Sequence, residues 1–147
     1  MKVANDTCPK MQKLVTQIAA KYGIDLETAE PGEVYIKLEL PGFMPLVIEK
    51  PWHDEVAVSH TFLKEGDVMY DPEVVFVITP FGWKVREYTM HPLGLYRRYG
   101  EKVGGNIQYK LSELPGVGNL INFVEGMWYP NLRDQGYLEH GVRKELE

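Results

Sequence analysis

The chain has 147 residues, 44% of them hydrophobic and 25% charged, with a formal net charge of −5. That composition excludes a disordered or fibrous chain and fits one domain over residues 1–147, with an ordered core at about 8–137 and a polar tail. The acidic balance disfavours nucleic acid as partner, and no apolar run approaches the ~20 residues of a membrane span.

Cys8 is the single cysteine, so no internal disulfide forms. The opening "MKVANDTCPKMQKLV" lacks an apolar signal core, and a cytoplasmic setting is expected.

The first predicted element is a helix capped by Asp6 or Thr7, with Pro9 in its first turn and Gly23 as its stop. Met11, Leu14, Val15, Ile18 and Tyr22 form its apolar stripe. The period then changes to two. Strands are predicted at "EVYIKLEL", "MPLVIEK", "EVAVSHTFL", "EVVFVIT" and "WKVREYTM", joined by links short enough for hairpins. The segment around Gly100, Gly104 and Gly105 reads as a mobile loop, with "NIQYKL" as a short strand at the sheet edge.

Helical spacing returns at Val117 and runs through Leu120, Ile121, Val124, Trp128, Asn131 and Gln135 to a Gly136 cap. Pro130 interrupts that run and predicts a kink or break. The tail "LEHGVRKELE" is expected to fray. The resulting class is α+β: an antiparallel meander of about five strands, with an N-terminal and a C-terminal helix packed on one face.

Several motifs taken in order carry a resemblance. "YIKLEL", "PGFMPLVIEK", "VAVSHTFLKEGDVMYDPEVVFVI", "GWKVREY" and "PLGLYRRY", closed by "MWYPNLRDQGY", together span about Glu33 to Tyr137. This pattern resembles a small family of unknown function encoded mostly in bacteria and on phages or integrative elements. The histidine stands here as H-x5-GD and is followed by Thr61-Phe62. The resemblance implies the fold and a mobile-element setting, and it assigns no catalytic residue.

The stretch Ser59–Ile78 holds the candidate catalytic residues His60, Asp67 and Asp71. An imidazole and two carboxylates are a ligand set for a divalent ion, provided all three converge at about 2.0–2.2 Å. Alternation groups His60 with Val56, Val58 and Phe62 on the core face, while Asp67 after Gly66 and Asp71 before Pro72 suit turns. A structural role is therefore expected, with no metal and no cofactor.

His53 falls in the polar turn "PWHDE", and His91 precedes Pro92 at a strand end. Cys8, at a helix N-terminus, is a candidate for a lowered thiol pKa but has no base nearby in sequence. Arg97 and Arg98 read as a solvated strand end, and "GEKVGG" does not match a phosphate loop.

Trp128, Asn131 and Gln135 are the candidate ligand-binding residues, because two amides on an apolar stripe need partners. The function expected is non-catalytic: an accessory module that binds another protein, with a homodimer through a sheet edge as a further option. The alternative is a metal-dependent or acid/base enzyme using His60 with Asp67 or Asp71.

Overall fold

Period-two alternation builds the sheet, and three- and four-residue spacing builds the layer over it. The computed structural model describes residues 6–144. After α1 (Pro9–Lys21) come β1 (Tyr35–Leu40), β2 (Phe43–Glu49), β3 (Glu55–Lys64), β4 (Asp67–Thr79), β5 (Gly82–Met90) and β6 (Leu95–Arg98). Then follow β7 (Gly100–Val103), β8 (Asn106–Tyr109), α2 (Leu114–Phe123), α3 (Tyr129–Gln135), α4 (Tyr137–His140) and β9 (Val142–Lys144).

The main sheet is antiparallel and has seven strands in the order β6-β5-β4-β3-β2-β1-β9, not five. Two of the additions were hidden by their length. β6 is four residues long, and β9 is three residues of the tail that was expected to fray, paired with Lys37–Glu39 of β1.

The glycine-rich loop is also ordered. Gly104 and Gly105, at φ 55° and 76°, form the two-residue turn of hairpin β7–β8. "NIQY" therefore pairs with β7 in a separate two-stranded sheet rather than at the main edge. Arg86 and Lys102 bind the hairpin's β7 to β3 and β5. Arg86 Nη1 lies 3.0 Å from Glu55, and Lys102 Nζ lies 2.9 Å from both Asp54 and Glu55.

Ile36, Leu38, Leu46, Ile48, Val56, Val58, Val74, Phe76 and Val85 project from one face of the sheet. They meet Met11, Val15 and Ile18 of α1, Val117, Leu120 and Ile121 of α2, and Leu132 of α3. Burying each such aliphatic side chain is worth about 1.5–3 kcal/mol, which is what holds both helical units on this face. Gly116 of α2 lies against the Tyr99 ring, and a Cβ there would stand 3.0 Å from it. The "PG" of this segment thus serves close packing inside a helix.

Pro130 neither breaks nor simply kinks the C-terminal helix. Val124–Trp128 forms a π turn, in which Tyr129 N–H donates to Val124 O, and α3 continues from it with Pro130 in its first turn. The wider turn accommodates a residue that has no N–H to give to the turn before it. It also inserts one residue into the helical phase. After Trp128 the buried stripe consequently runs through Leu132 and Gly136, with Tyr137 buried next to it, while Asn131 is exposed and Gln135 half-buried.

The start of α1 depends on this same turn. Neither Asp6 nor Thr7 occupies the N-cap position, which is Cys8, and no side chain there bonds a helix N–H. Instead the two carboxylate oxygens of Glu125 accept from Lys10 N–H at 3.0 Å and Met11 N–H at 2.8 Å. A carboxylate at a helix N-terminus satisfies orphan donors and favours the helix dipole. Glu125→Ala should lower stability by about 1–2 kcal/mol, a melting shift of roughly 3–6 °C. Thermal denaturation followed by circular dichroism measures it, and unchanged melting would show that α1 needs no such cap.

Candidate functional site

Two of the residues singled out in the sequence meet in space, although they were assigned to different sites. Trp128, on the π turn, donates its indole N–H to Nε2 of His60 at 3.0 Å. His60 Nδ1 lies 3.2 Å from the carbonyl oxygen of Pro45. An indole nitrogen only donates, so Nε2 must carry the lone pair and Nδ1 the proton. His60 is thereby a neutral ring in one tautomer. Burial pushes its pKa below the ordinary 6.5, against the opposing pull of the Pro45 carbonyl and Asp71.

The carbonyl it meets is available because β2 carries one extra residue there. Leu38 pairs with Leu46 and Leu40 with Phe43, so Met44 and Pro45 form a bulge. Tyr137 hydroxyl takes the neighbouring carbonyl of Met44, and its ring lies 5.8 Å from that of His60. Opposite His60 on the other side, β4 is bulged at Asp71-Pro72, a cis peptide, between the pairs Ser59–Glu73 and Thr61–Tyr70.

His60, Asp67 and Asp71 do not converge. Asp67 pairs with Lys64 at the end of the β3–β4 hairpin, about 13 Å along the strand from His60. Asp71 is near enough to His60 to act on its charge. Both ring nitrogens of His60 are engaged, however, so it has no lone pair to offer an ion or a substrate proton. Among the described residues, no group of three or more His, Cys, Asp or Glu side chains is placed to hold a metal.

Of the amide candidates, neither Asn131 nor Gln135 makes a side-chain hydrogen bond among the described residues. Cys8 is buried, and burial, with Glu125 and Asp6 nearby, pushes its thiol up rather than down. His53 is exposed beside Glu30 at 3.3 Å. Arg97 and Arg98 are exposed on the edge strand β6. His91 does more than end a strand: its Nδ1 accepts from Tyr70 N–H at 2.8 Å, and its ring stacks on Tyr70 at 5.4 Å.

The concave region missed in the sequence lies on the face that the helices leave bare. Hairpin β7–β8 reaches Glu55 at one end of that face. Across β1–β4 the remainder forms an open groove of about 570 Å³. Its walls include Tyr35, Val47, Glu49, Leu63, Val68 and Tyr70, with Thr61 between them. Leu63 is 74% and Val68 57% exposed. Leu63 is visible as an alternating strand residue, whereas Val68 and Tyr70 fall in the link between two predicted strands and belong to β4 only in the fold. Nothing in one strand tells which of its neighbours leave that face uncovered.

Beside the groove, Glu73 lies opposite Ser59. Burial, together with the charges of Glu49 and Glu87, raises its carboxyl to about 7.

His60→Ala leaves the buried indole N–H unpaired and opens a void, costing about 2–4 kcal/mol in denaturant unfolding. Nitrogen NMR should show an unprotonated Nε2, and wild-type stability should fall as pH drops below 6.5, because the unfolded imidazole takes up the proton that the folded one resists. Glu73 has the opposite sign. Its folded pKa is raised from 4.5 to about 7, so the stability it contributes is full below 4.5 and lost as pH rises through 7. Glu73→Gln should therefore melt higher than wild type at pH 8 and lose that advantage at pH 4.

No curated protein and no solved structure matches the chain. A family model described as a domain of unknown function, DUF6908, matches residues 13–138, from within α1 to within α4, and the chain belongs to that family.

Proposed function

We propose that the protein is a non-catalytic binding module that engages another protein through the bare face of its sheet. The observation that carries this reading is the groove over β1–β4, rimmed by the exposed side chains of Leu63 and Val68 and floored by sheet. Side chains of that size left in solvent beside a concave surface are characteristic of interaction sites. Acid/base or metal chemistry at His60 with Asp67 or Asp71 has less support, since both nitrogens of the ring are engaged and Asp67 stands apart.

An accessory role in a phage or other mobile element belongs to the same proposal and rests on the order of the motifs, and a cytoplasmic setting rests on the single cysteine. Among the described residues, no helix is long and apolar enough to cross a membrane.

The test is affinity capture from the host with three baits: wild type, Leu63→Glu/Val68→Glu, and Met127→Glu on the helical side, where Met127 is exposed. A partner retained by wild type and by Met127→Glu, and lost from the groove variant, is the expected result. A partner held equally by all three baits, or lost only with Met127→Glu, would place binding elsewhere.

A further inference from the structure

We infer that the groove accepts a cationic side chain, lysine or arginine, presented by the polypeptide that binds there. This deepens the proposed function and rests on it.

The carboxylates of this protein are treated in two different ways. Near hairpin β7–β8, Asp54, Glu55 and Glu101 all have cations: Lys102 at 2.9 Å from the first two, and Arg86 at 3.0 and 3.3 Å from Glu55 and Glu101. Glu49 and Glu73, on the bare face, are half-buried as well, yet neither forms an ion pair or a side-chain hydrogen bond among the described residues. Burial raises the pKa of both, and Glu73 also feels Glu49 and Glu87. Two desolvated carboxylates with no counter-ion are costly unless a cation arrives from outside.

A second observation points the same way. Ser59 and Thr61 project from β3 toward this face, at 1% and 9% exposure. Neither hydroxyl makes a hydrogen bond among the described residues. Glu49 on β2, opposite Ala57, and Glu73 on β4, opposite Ser59, stand on either side of β3 and two residues apart in register, about 12 Å from backbone to backbone. Between the carboxylates β3 carries small residues, Ala57 and Ser59, both covered, and the open part of the face lies next to them over Thr61, Val47 and Glu49.

Tyr35 and Tyr70 complete the surround, and each feels the charge of Glu49. An aromatic ring beside a carboxylate is suited to an ammonium or guanidinium by combined charge and cation–π attraction. The titratable and charged groups around Glu73 are Glu49 from β2, Tyr70 from its own strand and Glu87 from β5, the last with Arg86 at 3.9 Å and with Arg98 and Tyr96 of β6 beside it. Lys37, diagonal to Glu49, makes no ion pair with it. The hydrocarbon stem of the incoming side chain meets Val47, and the flanking residues of its backbone meet Leu63 and Val68.

The experiment is proton–nitrogen NMR titration of the full chain with a capped hexapeptide alternating valine and lysine. A peptide with norleucine in place of lysine serves as control. The expected result is shifts at Tyr35, Glu49, Ser59 and Tyr70 with the lysine peptide only, and affinity weakened at least about tenfold in Glu49→Gln/Glu73→Gln. Those amides keep the side-chain shape, and the spectrum of the free variant confirms its fold. Because Glu73 must ionise to hold the cation, affinity should also rise between pH 6 and pH 8.

Equal shifts with the norleucine peptide, shifts confined to other acidic surfaces, no binding, or unchanged affinity in the double variant would each overturn the inference. Its failure is separable from failure of the parent reading. A captured partner lost with Leu63→Glu/Val68→Glu but kept by Glu49→Gln/Glu73→Gln leaves groove binding standing and removes the cation.

Discussion

The hydrogen bond from the Trp128 indole to His60 joins the last helical unit to the middle of the sheet. Both partners are buried or nearly so, and each would be left with an unmet polar atom if the other moved. The cost of separating them, about 1–3 kcal/mol for a buried unpaired group, is small beside the apolar burial around it. What the bond adds is direction. Apolar packing tolerates sliding, whereas a donor-only indole facing a ring with one acceptor nitrogen permits one arrangement. The rest of the helix-side core is placed by that choice of register.

Two strand irregularities make the arrangement available. The bulge at Met44-Pro45 turns carbonyls of β2 toward His60 and Tyr137, and the bulge at Asp71-Pro72 lies opposite His60 on β4. Each proline falls where the ladder already lacks a regular pair, as a residue without an N–H requires. The irregular region of β2, β3 and β4 is thus spent on seating one histidine. The same strands, turned over, carry the groove. A rigid backbone with its bulges fixed by the buried cluster is a suitable base for a binding surface on the opposite side.

Much of this was legible in the residues. Period-two alternation located five strands and put His60 on the inner face, and helical spacing found both helical units. His60 was read correctly as inward, but a stripe gives phase within an element and says nothing of which residue on another element it meets. Trp128 was therefore assigned a separate role. Asn131 and Gln135 were misplaced because an unbroken period was carried through Pro130, where the π turn inserts a residue and moves the buried stripe to Leu132 and Gly136. The missing N–H was visible; the response of the backbone to it was not. Glu125 capping a helix 115 positions away has no local signature at all. Hairpin β7–β8 does have one, in the Gly104-Gly105 pair between two short runs, although clustered glycines suit a mobile loop as well as a turn.

Glu125 and β9 also constrain the order in which the fold can close during synthesis. α1 is made before every strand of the sheet, yet its N-terminal donors wait for a carboxylate made more than a hundred residues later. β1 likewise lacks its outer neighbour until residue 144 has been made. The nascent chain therefore exposes an uncapped amphipathic helix until Glu125 is made and an unpaired edge until β9 is made. The two vulnerabilities end in turn, first with Glu125 and then with β9.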